Sequence, residues 1–287
     1  MAVLRWSVFL APLLAATLWT GAALAQAFAV SPTYKGLFSS SDPTMTFLFE
    51  APEAKATLVF VPGGEGHHGI HAKSKARHAY FSFYPFNVML RGLSDPGATS
   101  GRFNVVIFDS PERLLTTSHW SAAREGTAHL SRVEDVVRFY RDRLGKPVWV
   151  MGHSMGSISV TELYKRLQDG KRQDLVAGLI LSAPVGGTSL DYRTTRLPVL
   201  VLCHERDGCA STPPEHARTM AAKLRESGNL AARLSTISGG SSGGDPCFSG
   251  FHMYEGAEPD AARAIDEYMG RNIAPAPVNQ PPPEERK

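Results

Sequence analysis

The chain has 287 residues and a mass of 31.1 kDa, with 43% hydrophobic and 20% charged residues. That mix excludes a wholly disordered chain and a polytopic membrane protein. Thirty Lys and Arg against 27 Asp and Glu leave +3, too small an excess for a nucleic-acid surface, and three cysteines exclude a disulfide scaffold or a four-thiolate zinc site.

In chain order, an export signal comes first. Arg5 is the only charge before Lys35, and an apolar run follows from Trp6 to Leu18. Ala23-Leu24-Ala25 matches a signal-peptidase site, so residues 1–25 are expected to be a cleaved signal peptide and Gln26 the first mature residue. A membrane anchor is the competing reading of so long a charge-free stretch. Pro12 within the run and the small-x-small site argue against it. The mature protein is expected to be periplasmic or secreted, with no stable membrane insertion.

Two weaker strands are expected at Thr44–Phe49 and Arg233–Ile237. Stronger aliphatic runs lie between them: Ala56–Val61, Phe103–Phe108, Pro147–Met151, Leu175–Leu181 and Leu197–Cys203. Continuous apolar runs of this length fit strands buried on both faces of a parallel sheet. Leu130, Val133, Val136, Val137, Tyr140 and Leu144 mark a helix stopped by Gly145 and Pro147. Pro214 opens another helix, running to about Ser227, and Ala261, Ala262, Ile265, Tyr268 and Met269 mark the last. The expected architecture is α/β, a mostly parallel central sheet flanked by helices on both faces, over residues 26–273. Residues 274–287 are proline-rich at first, then charged, and read as an exposed, disordered tail.

In such sheets chemistry gathers at the carboxyl ends of the strands. There the third strong strand runs into Gly152-His153-Ser154-Met155-Gly156, followed by a helical pattern from Ser157 to Leu167. A strand, a sharp turn carrying serine and a helix form a nucleophile elbow. The glycines allow the turn, and the helix N-terminus offers free N–H groups to a developing oxyanion. A capping serine in a Gly-rich connection is the plainer reading of the same residues.

On this motif and the order of its elements, the chain resembles the α/β-hydrolase superfamily over nearly the whole mature domain. The resemblance implies that fold, no large cap domain, and a Ser–acid–His triad in that chain order, but no substrate. Asp207, in His204-Glu205-Arg206-Asp207-Gly208, matches the acid-bearing turn, with Asp191 and Glu205 as other candidates. His252 follows the last strand and matches the base. The oxyanion donors would be the N–H of Met155 and one from Pro62-Gly63-Gly64-Glu65-Gly66, either Gly64 or Glu65. Pro62 stands where the superfamily usually has a histidine.

If Asp207 meets His252, their loops bring Cys209 and Cys247 within bonding range, leaving Cys203 free in a strand. Three reduced cysteines, or a bond to Cys203, are the competing arrangements. About 13 residues, Ala183 to Thr195, link two strands where a lid often sits, too few for a helical one. A lid from residues 65–84 would be the exception. His67, His68, His71, Lys73, Lys75, Arg77 and His78 form a cationic stretch. A solvated basic loop is its simplest reading, with a metal site or an anion-attracting patch as the others. Phe81, Phe83, Tyr84 and Phe86 fit either core packing or the wall of an acyl pocket.

The functional expectation is an exported serine hydrolase that cleaves a carboxylic ester through an acyl-enzyme, with no cofactor and no metal. Amidase, peptidase or acyltransferase chemistry would use the same triad. A catalytically silent hydrolase fold that binds a partner is the reading from another class. The expected partner is a small-molecule ester or amide, not nucleic acid.

Overall fold

The aliphatic runs form the centre of one sheet. The structure is a computed structural model that describes residues 26–31, 44–66, 85–109 and 120–273. The signal peptide, the basic stretch 67–78, Phe81, Phe83, Tyr84 and the tail 274–287 lie outside the described residues. The strands are β1 (Gln26–Ser31), β2 (Thr44–Phe49), β3 (Ala56–Val61), β4 (Phe103–Phe108), β5 (Val148–His153), β6 (Gly178–Ser182), β7 (Val199–His204) and β8 (Arg233–Ile237). Their spatial order is β1-β2-β4-β3-β5-β6-β7-β8. β2 runs antiparallel to both its neighbours, and every pairing from β4 to β8 is parallel.

Both faces of the central strands are covered, which is why their sequences do not alternate. Val59, Val61, Val148 and Val150 face one cluster, under α3 (Thr127–Leu144), α4 (Gly156–Asp169) and α5 (Pro214–Glu226). Leu58, Phe60, Trp149 and Met151 face the other, under α1 (Pro85–Gly92) and α6 (Glu258–Asn272). A short helix, α2 (Trp120–Glu125), precedes α3. Gly145 ends α3 in the left-handed region at φ 60°, its N–H capping the Arg141 carbonyl.

Several boundaries differ from the sequence reading. The run expected as a strand from Leu175 begins pairing at Gly178, after a 3-10 turn at Gln173–Leu175. A Cβ at 178 would lie 2.3 Å from Trp149 Cζ3, so only glycine lets the indole lie there. β7 starts after Pro198, which has no N–H to give the ladder. β1, α1 and α2 have no counterpart in the sequence reading.

The register places the ends of β3, β5 and β6 side by side: Val61 pairs with Gly152, and His153 with Ser182. The connection 183–198 is built of turns without a helix, so no lid arises between β6 and β7. The turn from β5 to α4 is crowded. A Cβ at 152 would lie 2.3 Å from the Gly156 oxygen, and one at 156 would lie 2.2 Å from the Val61 oxygen. Gly156→Ala is expected to cost about 1–3 kcal/mol by forcing β3 and α4 apart. Thermal unfolding checks this as a Tm drop of roughly 2–4 °C per kcal/mol.

Candidate active site

Ser154 occupies this turn at φ 52°, a strained conformation for a residue with a Cβ. Its backbone is held on both sides. The Ser154 N–H donates to the Ser182 carbonyl at 2.9 Å, and its carbonyl accepts from Ser157 N–H at 2.9 Å and Ser157 Oγ at 2.7 Å. Strand β6 and the first turn of α4 thus over-determine the turn.

Asp207 follows β7 and His252 lies in the 3-10 turn Gly250–Met253, between β8 and α6. The structure brings them together: His252 Nδ1 lies 2.8 Å from Asp207 Oδ2, with both side chains buried. The Asp207 carboxylate also accepts from Cys209 N–H at 2.9 Å and from Thr212 Oγ at 3.1 Å. These bonds fix the carboxylate, and when Nδ1–H donates to it, Nε2 is the ring's remaining acceptor. The His252 ring lies 4.6 Å, centroid to centroid, from the ring of His153, the residue before Ser154. His153 Nδ1 lies 3.1 Å from Ser182 Oγ, which in turn lies 2.9 Å from the Tyr254 hydroxyl. Burial raises Tyr254 well above the ordinary phenol range, so it stays neutral. A packed polar layer therefore sets His252 beside the elbow.

The other acid candidates are engaged elsewhere. Asp191 is exposed and accepts from Arg193 N–H at 2.9 Å; that bond leads the causes holding its carboxyl below the usual range. Glu205 is exposed next to Arg206. The turn bearing Asp207 is clamped to the His252 segment through Phe251. Its ring stacks on His204, at 4.6 Å and 18° between planes, and the Arg206 guanidinium lies 4.2 Å from the ring centroid. His204 Nδ1 accepts from Arg206 N–H, and Nε2 lies 2.9 Å from the Gly239 carbonyl. Cys209 and Cys247 are disulfide-bonded, and Cys203 is free and buried.

The glycine loop after β3 abuts the serine. A Cβ at 63 would lie 2.9 Å from Ser154 Cβ and 2.8 Å from the His153 oxygen. Gly66 N–H closes the turn onto the Gly63 carbonyl at 2.8 Å, with Gly64 at φ 50°. Among the described residues, the N–H groups of Gly64, Glu65 and Met155 donate to no backbone carbonyl outside the helices and strands. The exposed ring of Phe248 (59%) overhangs this loop, its Cε1 3.4 Å from where a Cβ on Gly64 would stand.

Behind the loop lies a polar cluster. Arg124, on α2, donates to the Gly64 carbonyl at 2.8 Å and to Ser159 Oγ at 3.1 Å. Ser159 Oγ lies 2.8 Å from His129 Nε2. Burial, with Arg124 and Arg132 nearby, pushes the His129 imidazole down to about 3. Among the described residues, no group of three His, Cys, Asp or Glu could hold a metal ion.

The sequence reading missed Thr212, Arg124, Ser182, Tyr254 and Phe248. All but Thr212 act across long sequence separations, and no local motif announces them. Only the position of Thr212, five residues past the acid candidate, carried a hint.

A family model described as "Alpha/beta hydrolase family" matches residues 58–222. No curated protein matches the sequence. Solved structures share the fold at low identity. A serine hydrolase without lid from Xanthomonas campestris has 15% identity and a TM-score of 0.55, covering 88% of this chain and 97% of that one. An esterase from the archaeon Pyrobaculum calidifontis has 16% identity and a TM-score of 0.56, covering 87% and 84%. Est1E from Butyrivibrio proteoclasticus, solved with ferulic acid, has 16% identity and a TM-score of 0.53, covering 81% and 96%.

Two measurements test the site's supports. The disulfide joins cysteines 38 positions apart, and its loss in Cys209→Ser/Cys247→Ser should cost about 3–4 kcal/mol in urea unfolding. His129 supplies a pH signature. Its folded pKa lies near 3 against 6.5 unfolded, so the unfolded chain binds a proton that the folded one refuses. That contribution to stability is fully present above about pH 6.5 and is lost progressively as pH falls towards 3. His129→Gln should flatten the slope over that window in urea titrations.

Proposed function

The chain belongs to the alpha/beta hydrolase family, and on that footing we propose that it is a serine esterase acting through an acyl-enzyme. The hydrogen-bonded Asp207–His252 pair set beside the Ser154 turn carries this reading. In the proposed reaction, His252 Nε2 takes the Ser154 hydroxyl proton as Ser154 Oγ attacks the ester carbonyl. Asp207 holds the imidazole tautomer and stabilises the imidazolium. The Met155 N–H, with that of Gly64 or Glu65, receives the oxyanion. His252 then protonates the leaving alcohol, and water repeats the sequence on the acyl-enzyme.

The ester reading draws on the esterases among the structural relatives and on the open site. With no helix between β6 and β7, soluble short esters should turn over without a lipid interface. Phe248 offers an apolar surface beside the oxyanion loop, which favours substrates with an apolar group there. Amide hydrolysis and acyl transfer use the same residues and are separated from ester hydrolysis by amide and alcohol competitors in one assay panel. Export fits the Ala23-Leu24-Ala25 site and the disulfide. The reading keeps residues 1–25 as the signal, 26–273 as the catalytic domain and 274–287 as the tail.

Ser154→Ala should lower ester hydrolysis about 10⁴–10⁶-fold and abolish fluorophosphonate labelling, with unchanged folding. Wild-type turnover in that variant would remove Ser154 from the mechanism; an unlabelled, inactive wild type would favour a silent binding fold. Asp207→Asn should cost about 10³–10⁴-fold, and Asp191→Asn and Glu205→Gln should cost little. Phe248→Ala should raise KM for esters with a bulky apolar group about tenfold, with kcat for acetyl esters of small alcohols little changed.

A further inference from the structure

Arg124 is a buried cation that the proposed triad does not use. It is 1% exposed, and among the described residues no carboxylate lies within ion-pair distance of it. Buried arginines are ordinarily paired, because an uncompensated charge away from water costs several kcal/mol. Its surroundings add positive charge: Arg132 lies close enough to help keep His129 neutral. Burial alone lowers the guanidinium to about 10, and at neutral pH it remains a cation. Its two acceptors, the Gly64 carbonyl and Ser159 Oγ, are both neutral.

Those acceptors lie on the two elements that define the proposed oxyanion site. Ser159 is on the first turn of α4, whose N-terminus follows Ser154. Gly64 is in the loop whose Gly63 abuts Ser154 Cβ. We propose that Arg124 is a positioning residue for ester hydrolysis: it locks the Gly64–Glu65 peptide against α4 and sets a buried positive charge behind the oxyanion. The inference rests on the serine-esterase reading above.

The physical argument has two parts. A peptide is planar and trans, so its C=O and N–H point in opposite directions. Bonding the Gly64 carbonyl to Arg124 therefore fixes where the Glu65 N–H aims. A charged donor on that carbonyl also polarises the peptide, strengthening its N–H as a donor. The second part is the field itself. A cation in a low-dielectric wall favours negative charge on the facing side, and the tetrahedral oxyanion carries more of it than the ground-state carbonyl. Both effects act on the transition state more than on substrate binding, so they should appear in kcat rather than KM.

The test begins with wild type, fluorophosphonate labelling and a soluble short-chain ester. An unlabelled wild type, or turnover by Ser154→Ala, would end the esterase reading itself. With a labelled wild type, Arg124→Met and Arg124→Ala are expected to lose about 10²-fold in kcat, with KM within about threefold. Added guanidinium should restore Arg124→Ala at least about tenfold while leaving wild type unchanged. Arg124→Lys keeps the charge but cannot span both acceptors, and should fall between, at about a tenfold loss. Wild-type kcat in folded Arg124→Met or Arg124→Ala would overturn the proposal. So would a loss that tracks the unfolded fraction and that guanidinium does not restore. Should both fail to fold, Arg124→Lys decides: wild-type kcat with wild-type Tm overturns the proposal, and reduced kcat at unchanged Tm and KM supports it.

Discussion

At the turn from β5 to α4 the backbones of three segments meet with no room for a side chain. A Cβ on Gly156 would collide with the Val61 carbonyl at the end of β3, and one on Gly152 would collide with the Gly156 carbonyl. This crowding forces the chain over so sharply that Ser154 takes a left-handed conformation. A residue held there needs neighbours that leave it no alternative. Strand β6 supplies one through the Ser182 carbonyl, and α4 supplies the other through Ser157. Ser157 Oγ in turn accepts from Val185 N–H at 3.1 Å, tying the connection after β6 to the same turn.

The two loops that complete the candidate site are fastened differently. The glycine turn directly after β3 is held by the buried Arg124 guanidinium on its Gly64 carbonyl and by the close approach of Gly63 to Ser154. The loops carrying Asp207 and His252 follow β7 and β8, further along the sheet from β3. Three unlike interactions join them: the carboxylate–imidazole bond, the Phe251 stack with His204 and Arg206, and the Cys209–Cys247 bond. The Cys209–Cys247 bond limits the separation of the loops and makes no contact that sets the orientation of the imidazole ring. Thr212 and the Cys209 N–H do that through the carboxylate.

Much of this was legible in the sequence because it is local. Buried parallel strands must be continuously apolar, so β3 to β7 announced themselves. A strand that ends in glycine, serine and glycine before a helix has few other uses, and the elbow followed from that run. The acid and base candidates came from the family resemblance, which implies such residues after later strands. The cysteine pairing followed from requiring that those two loops meet. Boundaries shifted where tertiary contact intervened, as at Gly178 under the Trp149 ring.

By itself, then, the sequence determined the layered α/β architecture, the turn bearing Ser154 and the residue types available after each strand, since these depend on hydrophobic runs and on glycine's freedom within a few residues. It left Asp207, Asp191 and Glu205 as rival acids, because a carboxylate's partner across 45 residues leaves no local trace. Only the tertiary structure decided that Asp207 meets His252, that Thr212 bonds the same carboxylate, and that Arg124 reaches the Gly64 carbonyl over 60 residues. Such contacts depend on strand order and register, through which β3, β5, β6 and β7 bring their ends to one edge, and neither is written in any single segment.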